Sequence, residues 1–147
     1  MTKENFADYG RFISRHNQTR EAGNDYAYTG NLAHIDLDTA TVGHLTAYAH
    51  APKYDSLERH KDTAEMLVIL SGGGTILFAK PGDDSNDGLV ALEVKKGDTI
   101  VMKPSTWHGL MTPINCDSVD IIVVFKKGTE DNDLIFQDLD EAVEIEI

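Results

Sequence analysis

The chain has 147 residues, 41% hydrophobic and 26% charged, with 25 acids against 13 bases and a net charge of −12. That length carries one domain, residues 1–147, with a core of its own. The charge excludes the concentrated basic face that nucleic-acid binding needs, and no apolar run reaches the roughly 20 residues of a membrane-spanning helix.

In chain order, Glu4 to Gly10 reads as a short opening helix, with Gly10 suited to end it in a left-handed conformation. The opening residues show no apolar stretch of an export signal, and the single cysteine, Cys116, allows no internal disulfide. A cytoplasmic protein is therefore expected. Strand patterns follow over Ala40 to Ala49, Ala64 to Leu70, Gly74 to Lys80, Leu89 to Lys95, Thr99 to Lys103 and Val119 to Lys126. Between them stand Ser71-Gly72-Gly73-Gly74, the Gly- and Asp-rich stretch from Pro81 to Gly88, and Lys96-Gly97-Asp98, all turn-forming. Many short strands at close spacing indicate an all-β barrel or sandwich. His44, Thr46, Tyr48 and His50 would share one strand face.

Met66 to Leu70 and Ile121 to Phe125 are apolar at every position, whereas a strand wet on one side alternates. Such a strand must bury both faces. A second copy of the chain, giving a homodimer, would supply the second cover, as would the chain's own terminal segments. Eight of the acids lie from Glu130 onward with no Lys or Arg among them. Leu134, Ile135, Phe136, Leu139, Val143, Ile145 and Ile147 are interspersed there, which indicates a terminal strand or packed arm rather than a disordered acidic tail.

The residues that carry chemistry are Glu58, His60, Glu65 and His108. Glu58 and His60 are two apart and leave an extended chain on the same face. Glu65 opens an apolar strand, where an acid without a partner is costly to bury. His108 follows the sole tryptophan in a Pro-Ser-Thr-Trp-His run. Two carboxylates and two imidazoles converging in a barrel suit a divalent transition metal such as Mn, Fe, Ni or Zn. Other features carry less. Ser71 to Gly74 lacks the Lys-Ser/Thr of a phosphate loop, Asp83 to Asp87 lacks the later Glu of a calcium loop, and Cys116 has no base beside it in sequence.

This order of residues resembles the cupin superfamily, whose double-stranded β-helix is a jelly-roll-like barrel. The first cupin motif is matched by Glu58, His60, Glu65 and Gly72, and the second by Gly97, Pro104 and His108. Glu58 stands where many cupins have His, and the Pro104 to His108 interval is one residue short. Within the superfamily, Phe6-Ala7-Asp8-Tyr9-Gly10, Leu57-Glu58-Arg59-His60, Trp107-His108 and Gly128-Thr129-Glu130-Asp131-Asn132-Asp133 are similar to the ureidoglycolate lyase family. Glu65 and Gly109 depart from the Gln and His that the family often has there.

The resemblance implies cleavage of ureidoglycolate, a small anionic substrate, to glyoxylate and urea during recovery of purine-derived nitrogen. It implies Glu58, His60, Glu65 and His108 on a divalent metal. Proton transfer would fall to a pocket group, with His50 and Lys103 the candidates, and Lys103 could instead hold the carboxylate as a point charge. The alternatives are a cupin enzyme acting on another hydroxy acid or a sugar, and a metal-free cupin binding a small ligand. Pairing of Glu58 or Glu65 with Arg59 or Lys61 would favour the metal-free form.

Overall fold

A computed structural model of the chain describes residues 1–14, 21–25 and 27–146, so Ile147 lies outside the described residues. In chain order the elements are β1 (Gly10–Ile13), β2 (Glu21–Ala22), β3 (Ala27–Tyr28), β4 (Ala40–Tyr48), β5 (Lys53–Arg59), β6 (Glu65–Ile69) and β7 (Gly73–Ala79). There follow β8 (Val90–Lys95), β9 (Thr99–Met102), β10 (Trp107–His108), β11 (Thr112–Pro113), β12 (Ser118–Lys126), the short helix α1 (Thr129–Asn132) and β13 (Ile135–Glu144).

Two antiparallel sheets face each other. One has the order β1-β9-β6-β12-β4. In the other, β8 flanks β7, the short β10 and β11 lie along the far side of β7, and β5 and β13 follow. This is the jelly-roll-like barrel of a cupin. Its interior is filled by Phe6, Phe12, Ile69, Ile76, Phe78, Ile100 and Ile121, all buried. No helix among the described residues is long and apolar enough to cross a membrane.

Alternation decides which residues reach that interior. In β6, Glu65, Leu67 and Ile69 are buried while Met66 and Val68 are only half-buried. In β12, Val119, Ile121 and Phe125 are buried while Ile122 and Val124 are half-buried. Register aligns Val42, Val124, Met66 and Val101 across the outer face, with Ile122 and Val68 beside them. The fully apolar runs thus bury one face, and the other is covered only in part by the chain itself; Val42 is 68% exposed.

The second sheet behaves differently. In β7, Ile76 and Phe78 join the interior, while Leu77 and Ala79 pack outside with Tyr54, Leu57, Trp107 and Leu139. Ile135, Val143 and Ile145 from the acidic C-terminal segment close over that outer cluster. The segment is therefore the edge strand β13, paired with β5 and shifted in register between Asp138 and Val143. The terminal strand read from its interspersed apolar residues is present.

The opening segment differs from the helix expected there. Residues 3–9 form successive turns, closed by bonds such as Gly10 N–H to Phe6 O at 2.9 Å. Gly10 itself begins β1 opposite Met102, and a Cβ there would collide with the Val101 carbonyl. Close approach of two strands, not a left-handed turn, requires glycine at this position. Phe6 and Tyr9 are buried and stack at 5.8 Å, so the segment plugs one end of the core.

Candidate metal centre

Three elements bring the candidate residues together. Glu58 ends the inner face of β5 directly opposite His108 of β10. His60 lies just beyond β5, in the turn to β6, and Glu65 is the first residue of β6. The Glu65 Oε2 atom is 3.3 Å from His60 Nε2 and 3.1 Å from His108 Nε2. These three ligand atoms all lie within 4.8 Å of one another, and all three residues are buried. Glu58 is more open, 31% exposed at its side chain, with Oε1 3.5 Å from His108 Nε2.

The outer nitrogens of both rings are accounted for. His60 Nδ1 lies 2.8 Å from the Asp133 carbonyl, and His108 Nδ1 lies 3.1 Å from the Thr106 carbonyl. A carbonyl only accepts, so each Nδ1 carries a proton and each Nε2 is the nitrogen turned to the cluster, with a lone pair for a cation once the ring is neutral. This is the outer support by which metal-binding histidines are usually oriented. Phe125 packs against the His60 ring at 5.6 Å between centroids.

Glu65 Oε2 is buried without a hydrogen-bond partner, its two imidazole neighbours approaching without hydrogen-bond geometry. An acceptor left this way is expensive unless a cation meets it. One carboxylate oxygen and two neutral Nε2 atoms form the mixed donor set that a divalent transition metal takes. The residues present therefore fit such an ion. Without a metal the cluster settles by proton exchange. Burial alone would raise Glu65, but the charges of His108 and His60 outweigh it and lower the carboxyl to about 2. Burial likewise opposes charging His108, yet the Glu65 and Glu58 carboxylates hold it up to about 9. His60 is raised as well, Glu65 again overcoming its burial.

Two cavities meet at Glu58. One, of about 260 Å³, is lined by Glu58, His60, Glu65, Phe125, Glu130 and Leu134, with Gly43, His44, Leu45 and Val123 beyond them. The other, of about 350 Å³, is lined by His50, Lys53, Glu58, His108, Leu110 and Phe136, with Tyr54 to Leu57 and Gly109 beyond them. His50 thus reaches the neighbourhood of the cluster, although its ring nitrogens already engage the carbonyls of Ala51 and Met111 at 2.8 and 3.2 Å. His44 lines the first cavity, whereas Tyr48 on the same strand is 71% exposed and lines neither.

Lys103, expected from the sequence as a pocket group, is not brought to the cluster. Its ammonium donates to the carbonyls of Ala7 and Asp8 at 2.8 and 3.0 Å. It borders a separate groove with Lys3, Arg11 and His34. Lys103 sits on the strand-to-turn junction of β9, one residue past its end, and the packed opening segment captures it there. Tyr9 of that segment also holds the turn before His108, accepting the Thr106 hydroxyl at 2.9 Å on its carbonyl.

Arg59 and Lys61 do not neutralise the acids. The Arg59 guanidinium points to the opposite face of β5, lies over the Trp107 ring at 4.6 Å, and donates to Gly82 O and Asp83 Oδ1. Trp107 Nε1 donates to the same Gly82 carbonyl at 3.0 Å. Trp107 is therefore a packing residue outside the barrel, one position before the inward-facing His108. Gly109 is required locally, because a Cβ there would run into the Tyr54 ring. Asp133, Glu130, Leu134 and Phe136 were not among the residues singled out for the site, and no spacing in the sequence connects them to His60.

The chain is similar to known proteins in sequence and in fold. The chain is 23% identical over 141 residues to a ureidoglycolate lyase of Chelativorans sp. (strain BNC1), covering 90% of this chain and 85% of that protein. Its fold is similar to the capsular polysaccharide assembling protein CapF of Staphylococcus aureus, with a TM-score of 0.52 at 14% identity over 82% of this chain and 34% of that one. Lactobacillus farciminis oxalate decarboxylase aligns with a TM-score of 0.48 at 13% identity over 73% of this chain and 27% of that one. The chain spans about a third or less of the length of these two solved chains. The model of the ureidoglycolate lyase family matches residues 1–146. The motifs at both ends and in the middle are thus parts of one continuous match, and the chain belongs to the ureidoglycolate lyase family.

Proposed function

We propose that the protein is a metal-dependent lyase that cleaves ureidoglycolate to glyoxylate and urea. The observation that carries the metal dependence is the buried Glu65 Oε2, without a hydrogen-bond partner, between two Nε2 atoms whose rings are oriented by backbone carbonyls. Family membership supports the reaction. His60, Glu65 and His108 would hold the ion, with Glu58 as the more exposed fourth donor. A divalent cation there would supply Lewis acidity to the hydroxyl and carboxylate groups that the substrate's central carbon carries.

Cleavage breaks the carbon–nitrogen bond as the hydroxyl oxygen becomes the aldehyde oxygen of glyoxylate. The hydroxyl proton must leave, and the departing urea nitrogen must gain one. His50, on the cavity shared with Glu58 and His108, is the candidate to carry that proton. Lys53 borders the same cavity, where its ammonium lies 3.3 Å from Asp55 Oδ1, and would supply a positive charge for the substrate carboxylate by exchanging that partner.

The partly covered outer face of the first sheet, with Val42, Met66, Val68, Ile122 and Val124, supports a homodimer through that face. A Val42→Lys, Val124→Glu double variant should then run at half the mass in sedimentation. An unchanged mass would remove this element of the reading.

The central test is metal analysis of protein purified without chelators, together with release of urea and glyoxylate from ureidoglycolate. Other 2-hydroxy acids and sugars serve as comparison substrates. Bound divalent metal and ureidoglycolate turnover, both lost in His60→Ala, are expected. Absence of metal with no metal-dependent thermal shift would overturn the metal dependence, and turnover only of another substrate would overturn the lyase assignment.

A further inference from the structure

We propose that Asp133 is a positioning residue for His60, setting the affinity of the centre for a divalent cation; this rests on the metal reading above. β5 ends at Arg59, so the sheet no longer holds the backbone at His60, Lys61 and Asp62. Asp133 takes over the amides of Lys61 and Asp62 and the ring of His60, while the His60 carbonyl accepts the Ser105 N–H at 2.7 Å. Asp133 Oδ1 accepts the Lys61 N–H at 2.7 Å, its Oδ2 accepts the Asp62 N–H at 2.8 Å, and its carbonyl accepts the His60 Nδ1–H at 2.8 Å.

The contrast with His108 shows why this matters. The carbonyl that orients His108 belongs to Thr106, two residues away in the same turn. The one that orients His60 lies 73 residues along the chain and stays in place only if the two segments are locked together. The β13–β5 ladder joins them as far as the Ile135–Arg59 pair, and the Asp133 carboxylate extends that lock past the end of β5 to Lys61 and Asp62. It is buried, 9% exposed, and its own N–H is tied to Thr129 O at 2.9 Å, which anchors it to α1.

Both carboxylate oxygens accept from consecutive amides, a pattern that an amide side chain can satisfy only by half. Removing the carboxylate leaves the carbonyl in the chain but frees it to drift from Nδ1. The His60 ring would then be free to turn and to carry its proton on Nε2, where a metal needs the lone pair. The next residue, Leu134, lines the metal-side cavity, so the same lock places that wall.

The test uses the full chain as Asp133→Ala, Asp133→Asn and, as a control, Asp131→Asn on the exposed side of the same helix. Mn²⁺ affinity is measured by titration calorimetry, and the His60 tautomer by nitrogen-15 NMR of metal-free protein at alkaline pH. Wild type should show the Nδ1–H tautomer. Asp133→Ala should lose roughly 10–100-fold in Mn²⁺ affinity and populate the Nε2–H form. Asp133→Asn should lose less, and Asp131→Asn should match wild type. Folded Asp133→Ala with wild-type affinity and tautomer would overturn the proposal. If that variant does not fold, Asp133→Asn decides by the same two readings. If wild type binds no Mn²⁺, Ni²⁺ or Zn²⁺, the metal reading fails, while the tautomer comparison still decides the role of Asp133.

Discussion

The outer face of β5 and β10 and the barrel interior that their inner face shares with β6 treat a buried charge in opposite ways. On the outer face, Arg59 is 8% exposed and its guanidinium is matched by the Gly82 carbonyl, the Asp83 carboxylate and the Trp107 ring. The two terminal nitrogens are thus matched, only Nε lacks a hydrogen-bond partner, and the guanidinium staples the loop after β7 onto the barrel. In that interior, Glu65 is equally buried but meets only imidazoles, and its Oε2 has no hydrogen-bond partner. A structural charge is surrounded by fixed partners, whereas a charge kept for a ligand is left with partners that a cation can replace. Neighbouring residues in sequence, Arg59 and His60 or Trp107 and His108, divide between these two roles.

The sharpest way to break the contrast is to remove a ligand. His108→Ala or His60→Ala should abolish divalent-metal binding while leaving the far-ultraviolet circular dichroism of a β-protein. Stoichiometric metal in either variant would show that the inner face is not the centre. On the outer face, Trp107→Ala should cost about 3–5 kcal/mol in urea unfolding, because a fully buried indole leaves a large void. The surviving folded fraction should still bind metal, since His108 faces the other way.

Acidity sharpens the inner side. His108 is raised from 6.5 to about 9, so in chelated protein its contribution is complete below pH 6.5 and is lost as the pH rises through 9. Glu65 is lowered from 4.5 to about 2, so its contribution is present above pH 4.5 and is lost as the pH falls toward 2. The two shifts report one interaction. Metal-free protein should therefore be most stable between pH 4.5 and 6.5, as read by thermal melts. Metal affinity should move the other way across the alkaline limb, rising by up to about tenfold per pH unit for each proton displaced until pH 9. A pH-independent affinity from 6.5 to 9 would contradict protonation of His108 in the empty cluster.

The smallest expected effect is Arg59→Lys. An ammonium keeps the charge but loses the planar stack and the forked hydrogen bonds, for about 1 kcal/mol of stability. Metal affinity should change by less than about twofold if the outer staple is purely structural. A larger loss of affinity would mean that the two faces are coupled through β5.

Much of the site was legible because ligand spacing is a local property. Glu58 and His60 two apart, Glu65 ahead of an apolar run, and Trp107-His108 after a turn each state an orientation along one strand. Arg59 shows the limit of such reading: it lies between two inward residues, and alternation sends it outward to Asp83 rather than to the acids. Lys103 shows another. Its strand and turn follow from local pattern, with β9 ending one residue earlier at Met102, but whether its ammonium enters a pocket depends on where residues 7 and 8 pack. Asp133 lies in the late segment that resembles the family, but its link to the site is not legible there because its partners, His60 to Asp62, are more than 70 residues away.

By itself, then, the sequence determined the alternation of strands and turns, the all-β class and the residue types available to a cation, since these follow from period-two patterning and side-chain chemistry. Only the tertiary structure decided which of those residues share a cavity, which nitrogen of each histidine carries the proton, and which charges are already matched. Those outcomes depend on contacts between distant segments, and burial makes each such contact matter: inside the barrel no water is at hand to replace a missing partner.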